Sequence, residues 1–212
     1  MRLLPALLLL LGACAAPAAS DAPPAATPDA RPLDAPAFDA AAWLAAADTA
    51  ASEAGQVALT AQLLDAVDWR TACGEDDPTA PGRGTLALAH LDDAWSLAAI
   101  TCQRFAAQGT FALVDARRGR PPRLVRALGV AETGQPTADT TASFFGVLSH
   151  DRSTRPSRFD VLTKGAGHGG CGTDVRYRLR PDGGAEIERV RAHADCADPL
   201  APDDWPVTYA AP

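Results

Sequence analysis

Residues 175–190 read VRYRLRPDGGAEIERV, and this stretch decides the fold. Apolar Val175, Tyr177 and Leu179 alternate with three arginines, so one face of a strand is buried and the other meets water. The PDGG sequence at 181–184 follows, and aspartate and glycine tolerate the positive φ angles of a tight turn. The alternation then resumes. The stretch therefore predicts an antiparallel β-hairpin with strands over 175–179 and 185–190.

Similar short apolar stretches precede the hairpin, and glycine, proline or aspartate separates them. They predict six further strands, over residues 85–88, 95–100, 110–114, 123–128, 144–148 and 159–162. Eight short strands behind two helices indicate an α+β domain, built mostly of antiparallel β-sheet with two N-terminal helices and held by disulfides.

Two helices are predicted ahead of the strands. The first covers 38–54, with Asp39 as its candidate N-cap and Gly55 as its stop. The second covers 60–69, because apolar residues recur there at helical spacing, and Thr60 is its candidate cap.

Four cysteines fall within the predicted domain: Cys73, Cys102, Cys171 and Cys196. An even number in an exported chain indicates disulfides, and four cysteines allow three pairings. We favour the sequence-adjacent pairing, in which each bond contributes about 3.5 kcal/mol if it is unstrained. The alternative is a Cys₂His₂ zinc site, since His168 and His193 each stand three residues before a cysteine. Thiols in an oxidising compartment oxidise to each other, so we expect neither metal nor cofactor.

The N-terminus has the parts of an export signal. Arg2 supplies a positive charge, and a leucine-rich stretch too short to span a bilayer follows it. The segment Leu11-Gly-Ala-Cys14 resembles the lipobox of bacterial lipoproteins, which implies that residues 1–13 are a signal peptide and that Cys14 carries the lipid. Ala15 favours the outer membrane of a Gram-negative bacterium, with the protein facing the periplasm. The alternative is an ordinary cleaved signal.

Residues 14–36 are predicted to be the lipid anchor and a disordered tether. The segment after Cys14 contains nine alanines and six prolines, and it cannot bury enough apolar surface to offset the entropy of ordering. A single globular periplasmic domain is then predicted over 37–212.

The charge and the missing motifs exclude several functions. The net charge of −7 opposes nucleic-acid binding, which needs a basic surface. Walker loops, HExxH and GxSxG are absent from the sequence, which removes the common nucleotide-binding, zinc-protease and hydrolase signatures. The expected partners are the membrane, through the N-terminal lipid, and an envelope protein of unknown identity.

The C-terminal part contains Lys164, a glycine-rich run ending at Cys171, then Tyr177, Cys196 and the pair Trp205-Pro206. This arrangement resembles an exported Gram-negative family catalogued as domain of unknown function 1176, and the chain is similar to a divergent member over residues 60–207. The arginine and the aspartate of the family pattern are alanine and glycine here. The resemblance implies a fold and an exported location and no particular reaction.

Five glycines between positions 165 and 172 allow the backbone positive φ angles. Two interpretations are open: a tight crossing fixed by Cys171, or an amide nest that binds an anion beside Lys164. The candidate ligand-binding residues are Lys164, His168 and His193.

We favour a non-enzymatic binding or structural domain tethered to the outer membrane. One alternative is a periplasmic enzyme, although the adjacent Ser149-His150-Asp151 cannot easily form a catalytic triad. A pocket in which titratable side chains converge would favour that alternative. A second alternative is an inhibitor of lysozyme-type enzymes, because an acidic chain suits a basic partner.

Overall fold

The computed structural model of the chain describes residues 38–49, 52–75, 86–91, 94–150, 157–167 and 169–212. These residues belong to one compact unit. The predicted signal, Cys14, the tether and the boundary at residue 37 lie outside the described residues, as does His168. Among the residues described, no helix is long and apolar enough to cross a membrane.

Three helices begin the described chain: α1 (Ala40–Thr49), α2 (Glu53–Ala66) and α3 (Arg70–Cys73). Asp39 caps α1 as predicted, because its carboxylate accepts hydrogen bonds from the first backbone N–H groups.

The predicted boundary between the two long helices is wrong. The hydroxyl of Ser52 accepts from the backbone N–H of Gly55, so α2 begins at Glu53 and includes the glycine expected to stop α1. Thr60 is a buried residue within α2, and its hydroxyl donates to the carbonyl of Gln56 instead of capping a helix.

Eleven strands follow in the described part of the chain. They are β1 (Leu86–His90), β2 (Trp95–Arg104), β3 (Gly109–Arg117), β4 (Arg123–Leu124), β5 (Ala127–Val130), β6 (Pro136–Thr141), β7 (Ser143–Ser149), β8 (Arg158–Lys164), β9 (Gly172–Leu179), β10 (Ala185–His193) and β11 (Val207–Ala210). The stretch predicted as one strand over 123–128 is divided into β4 and β5, and β6 and β11 were not predicted.

The main sheet has the strand order β1-β2-β3-β7-β8-β9-β10-β11, with β4 paired to β3. All of these neighbouring pairs are antiparallel. The strands β5 and β6 form a separate antiparallel pair. The α+β class, with mostly antiparallel sheet, two long N-terminal helices and two disulfides, is therefore confirmed.

The predicted hairpin is formed by β9 and β10. Gly183 takes a φ of 90° in the turn, and the Asp182 side chain accepts from the backbone N–H of Gly184. Both features match the turn chemistry expected of aspartate and glycine.

The sheet curves so far that the segment after β4, which is bonded to β3, also bonds to the start of β10. Val125, just after β4, donates its backbone N–H to the carbonyl of Leu113 in β3. The next residue, Arg126, accepts from the backbone N–H of Ala185 and bridges to Gly184. The pairings from β3 through β7, β8, β9 and β10 thus close into a ring, which makes a small barrel.

Arg117 makes hydrogen bonds across the end of the barrel where β9 ends. Its guanidinium donates to the carbonyls of Arg180 and Pro181, which lie 63 and 64 positions away in sequence. It also pairs with the buried Asp115 and lies 3.7 Å from the centre of the Trp95 ring. These contacts hold the β9–β10 turn against β3.

The main core fills the barrel. Four aromatic rings meet there, with Phe159 stacked on Tyr177 at 5.0 Å and Phe144 meeting both rings edge-on. Phe111 stacks on Phe144 from the β3 side. Aliphatic side chains surround these rings, chiefly Leu97, Leu113, Val125, Val161, Val175, Leu179, Ile187 and Val190.

A second core lies between the helices and the other face of β2 and β3. Leu63 from α2 packs with Ile100 and Val114 there, and all three are fully buried. The indole N–H of Trp43 donates to the carbonyl of Leu59, which joins α1 to α2. A disulfide between Cys73 and Cys102 ties α3 to β2.

The outer face of β8, β9 and β10 carries alternating charges, as the three arginines of the hairpin predict. These charges pair across the strands: Arg158–Glu188, Arg176–Asp160, Arg178–Glu186, Arg178–Glu188, Arg180–Glu186 and Arg189–Asp174. Such pairs fix the register of the strands more than they add stability, because each is partly exposed.

Two of these carboxylates should act on acid stability in opposite directions. The hydrogen bond from Arg158 lowers the pKa of Glu188, so its contribution is present above about pH 4.3 and is lost as pH falls through the lowered pKa. Burial raises the pKa of Asp174, helped by the charge of Asp160, so protonation of Asp174 favours the folded state. We expect Glu188→Gln to make the acid loss of stability shallower and Asp174→Asn to make it steeper, each by less than about 1 kcal/mol. Urea unfolding between pH 7 and pH 3 measures both, and changes of the same sign would contradict this assignment.

Candidate functional site

A cleft of about 660 Å³ opens at the other end of the barrel. It lies where β8 and β10 finish and where β7 and β9 begin, at the opposite end of β9 from the Arg117 contacts. Its walls come from six strands and three loops: residues 129–132, 141, 143–145, 161, 163–165, 171–173, 175, 177, 193, 194 and 196. A volume of this size is within the range of small-molecule sites, which commonly occupy the mouths of β-barrels.

The floor of the cleft is apolar. Phe144, Val161, Val175 and Tyr177 line it, and each is at most 4 % exposed as part of the main core. Burial raises the pKa of Tyr177 far above its ordinary range, so its hydroxyl stays neutral at physiological pH. The floor therefore offers apolar surface together with one uncharged hydroxyl.

Hydroxyl groups line the walls above this floor. The hydroxyl of Thr163 donates to the carbonyl of Phe145, and that of Thr141 donates to the carbonyl of Ser143. The Thr141 oxygen also accepts from the backbone N–H of Ser143, so these bonds hold the two threonines in place in the wall. Thr173 lies beside Thr163 on the neighbouring strand, since the two residues are paired in the ladder between β8 and β9.

The glycine-rich loop at residues 165–172 joins β8 to β9 and packs on a disulfide. The backbone N–H of Gly165 donates to the carbonyl of Cys171, and that of Gly169 donates to the carbonyl of Ala166. These two amides are thus used within the loop and are not directed at a ligand. The contacts agree with the tight crossing and oppose the anion nest at these positions.

Gly172 is required where β9 leaves this loop. Its φ is 137°, and a Cβ atom there would overlap the carbonyl oxygen of Thr163 and stand 3.0 Å from the nitrogen of Gly165. Only glycine lets the two strands approach this closely.

The disulfide between Cys171 and Cys196 forms part of the cleft wall. Both disulfides follow the sequence-adjacent pairing. Because the sulfurs of Cys171 and Cys196 are bonded to each other, they are not the thiolates that the Cys₂His₂ alternative needs. In the part of the chain that is described, no three His, Cys, Asp or Glu side chains cluster as metal ligands.

Lys164 stands at the mouth of the cleft. Gln108 holds its backbone from both sides, because the Gln108 side chain accepts from the Lys164 N–H and donates to its carbonyl. The stem of Lys164 lies close to Gly169, where an added Cβ would be 3.4 Å from its Cδ and Cε atoms. The ammonium group is therefore carried on a fixed backbone and a packed stem.

His193 lies on the same side of the cleft, at the end of β10. Its Nε2 is 2.7 Å from the carbonyl oxygen of Asp198, and a carbonyl only accepts, so Nε2 carries a proton. The neutral ring then presents Nδ1 as an acceptor. The buried Trp205 packs near the imidazole at 6.5 Å between ring centres and fixes the C-terminal segment through a bond to the Leu200 carbonyl.

The structure brings together Lys164, His193, Cys171 and Cys196, four of the residues singled out in the sequence. His168 and Cys14 lie outside the described residues, and Cys73 and Cys102 belong to the helix–sheet contact. The apolar floor was not predicted as a site. The only sequence signal for it is the alternation of Val175 and Tyr177 with polar residues. An ordinary buried core gives the same alternation.

The described part of the Ser149-His150-Asp151 segment lies away from the cleft. Nδ1 of His150 donates to the carbonyl of Arg158, which occupies one ring nitrogen, and Asp151 lies outside the described residues. Neither Ser149 nor His150 lines the cleft.

Comparison with protein-family models, with curated proteins and with solved structures found no match for this chain.

Proposed function

We propose that this chain is an envelope lipoprotein whose folded domain binds a small, largely apolar molecule in the mouth of its barrel, without transforming it. The observation that carries the proposal is the cleft of about 660 Å³ with its floor of Phe144, Val161, Val175 and Tyr177. Burying an apolar ligand on this surface is favourable by about 25 cal/mol per Å².

The cleft is supported by rigid parts of the fold. The disulfide and the bonds of the 165–172 loop hold one wall of the cleft. The two hydrogen bonds between the Gln108 side chain and the Lys164 backbone hold the neighbouring wall. A wall that is ordered before the ligand arrives loses little entropy on binding, which favours affinity. This rigidity supports recognition of a molecule of definite shape.

Binding is favoured over catalysis by the way in which the titratable side chains are placed. Glu132, Lys164, Tyr177 and His193 all line the cleft, but among the described residues no hydrogen bond joins any two of their side chains. Catalytic bases and nucleophiles are generally held in such direct contact.

The two disulfides indicate an oxidising, extracytoplasmic location. The lipid anchor at Cys14 and the outer-membrane position belong to the proposal and derive support from the lipobox-like segment at residues 11–14. Two or more acyl chains hold a protein stably at a membrane, so a lipidated Cys14 would keep the barrel near the bilayer surface.

The anchor is tested by Cys14→Ala. We expect this change to abolish lipid attachment, because the cysteine sulfur is the acylated atom in lipoproteins that the N-terminus resembles. Cells expressing each form are fed labelled palmitate, and the fractionated envelope is examined for label. Equal incorporation in both forms would contradict the anchor and leave the cleft proposal untouched.

The cleft is tested by filling it. Thr173→Trp places an indole in the mouth, and we expect it to weaken binding of the fluorescent apolar probe 1-N-phenylnaphthylamine about tenfold or more, because the ring occupies the volume that the probe needs. Fluorescence titration of the purified protein measures the affinity.

The matched control is Thr140→Trp, the same substitution at an exposed position of β6 that does not line the cleft. We expect its probe affinity to equal that of the parent protein. If the parent does not bind the probe, or if Thr173→Trp binds as tightly as Thr140→Trp, the barrel mouth is not the site. Thermal unfolding of both variants verifies that each is folded.

A further inference from the structure

The chain contains one lysine among its 19 basic residues, and this lysine is Lys164. Arginine serves every other basic position, including the paired charges on the outer face of the barrel. The two side chains differ chemically, since lysine presents a compact, strongly hydrated charge and arginine presents a planar fork suited to fixed carboxylate pairs.

Lys164 also differs from its neighbours in its pairing. On β8, β9 and β10, each other Arg, Asp or Glu has a partner of opposite charge. Within the described part of the chain, Lys164 has no acidic partner. Among the residues that the structure describes on these strands, Lys164 is therefore the charged side chain without an ion pair, and it lines the apolar cleft.

We infer that the ligand of the cleft is an anionic amphiphile, with its apolar part on the Phe144–Tyr177 floor and its carboxylate or phosphate group against the ammonium of Lys164. The inference rests on the proposed function and specifies the chemical class of ligand. An anion at this position supplies a partner that the described residues do not provide. Charge-assisted hydrogen bonds of this kind are about twice as strong as neutral ones.

The other polar groups of the cleft agree with this orientation. His193 lies at the same end of the barrel, and its bond to the Asp198 carbonyl holds the ring in place there. Glu132, the acid among the lining residues, is exposed in the turn between β5 and β6 and repels an anion from that wall. The anionic group is thus directed to the Lys164 side of the mouth.

The uniqueness of Lys164 allows a direct experiment. Reductive methylation with ¹³C-formaldehyde keeps the charge of an amine and gives one side-chain lysine signal in the NMR spectrum. The methylated protein is titrated with decanoate, with its uncharged counterpart decanol, and with acetate. We expect decanoate to shift the Lys164 signal at saturation and acetate to leave it unchanged at the same concentration. A decanoate complex without that shift would overturn the inference.

Affinities of the unmodified protein for decanoate and decanol complete the test, measured by displacement of 1-N-phenylnaphthylamine. Lys164→Met retains an apolar stem and should weaken decanoate about tenfold while leaving decanol unchanged. Arg118→Met removes an equal charge at an exposed position just after β3, outside the cleft lining, and should change neither affinity.

The outcomes separate the two proposals. If the parent protein and Lys164→Met bind decanoate with equal affinity, the inference of an anionic ligand is overturned. Binding of decanol would in that case still support the cleft as an apolar site. Equal losses in Lys164→Met and Arg118→Met would assign the effect to net charge and also overturn the inference. Failure of the parent to bind either compound or the probe would overturn the proposed function itself.

Discussion

Gly172→Ala is expected to lower the free energy of unfolding by about 3 kcal/mol or more, a large part of the roughly 5–15 kcal/mol that keeps a domain folded. At a φ of 137° any side chain is strained, and the new Cβ would overlap the Thr163 carbonyl oxygen. Both contacts of that Cβ, with Thr163 and with Gly165, are to backbone atoms, which cannot move aside as a flexible side chain could. Urea unfolding, with refolded yield as a second measure, tests the prediction.

Gly167→Ala is the matched control within the same loop. An added Cβ there meets no atom within 4 Å, and the φ of Gly167 is not in the left-handed region. We expect a change between zero and about 1 kcal/mol of stabilisation, because alanine has fewer unfolded conformations than glycine. Similar losses at both positions would show that the loop as a whole, and not the close approach at Gly172, limits stability.

Removing the disulfide at the cleft is expected to have the second large effect. The double variant Cys171→Ser, Cys196→Ser should lose about 3.5 kcal/mol of stability, because the bond closes a loop with a sequence separation of 25. It should also weaken probe binding, because the same bond forms the wall of the mouth and contacts Gly165.

The other disulfide supplies the comparison. Cys73→Ser, Cys102→Ser opens a loop with a separation of 29 and should cost a similar amount, since loop entropy varies slowly with length. This pair packs with Ala72, Ala112 and Ala142, none of which lines the cleft, so probe affinity should persist while the protein is folded. Equal losses of affinity in the two double variants would mean that the cleft depends on global stability and not on its local bond.

The hairpin at 175–190 could be predicted because both strands and the turn are encoded locally. Val175 and Tyr177 alternate with arginines, and Asp182 with Gly183 supplies the turn chemistry within the hairpin itself. The start of α2 was misplaced because Ser52 and Thr60 are both competent caps, and the choice depends on which residues of the helix reach the sheet.

The two unpredicted strands depend on tertiary contacts. β6 is mostly polar and exposed, and its pairing with β5 depends on where the barrel places the segment. β11 is short, and it is positioned by bonds such as that from the Thr208 hydroxyl to the Gly134 carbonyl, 74 positions away in the sequence. Neither strand has the apolar alternation from which a strand is normally inferred.

The candidate site was predicted in part. Lys164 and His193 could be named because charged groups beside a glycine-rich run and a cysteine suggest a ligand. The apolar floor could not be distinguished from the core by sequence. An apolar residue such as Phe144 gives the same sequence pattern whether it packs only against protein or also borders an opening. The opening exists because the strands end there, and this is a property of the closed ring of pairings.

The closure of that ring through Arg126 and Ala185 has a consequence for the order of folding. The strands from β7 to β10 pair with sequence neighbours, and such local contacts form early and rapidly. The link between β3 and β10 joins segments about 60 residues apart, and it cannot form until the last third of the chain is present. A chain that is made and exported from its N-terminus therefore leaves the apolar inner face of β3 exposed until this last third has emerged. Folding should stay slow or aggregation-prone up to that point, and fragments ending before β9 should need a chaperone to remain soluble.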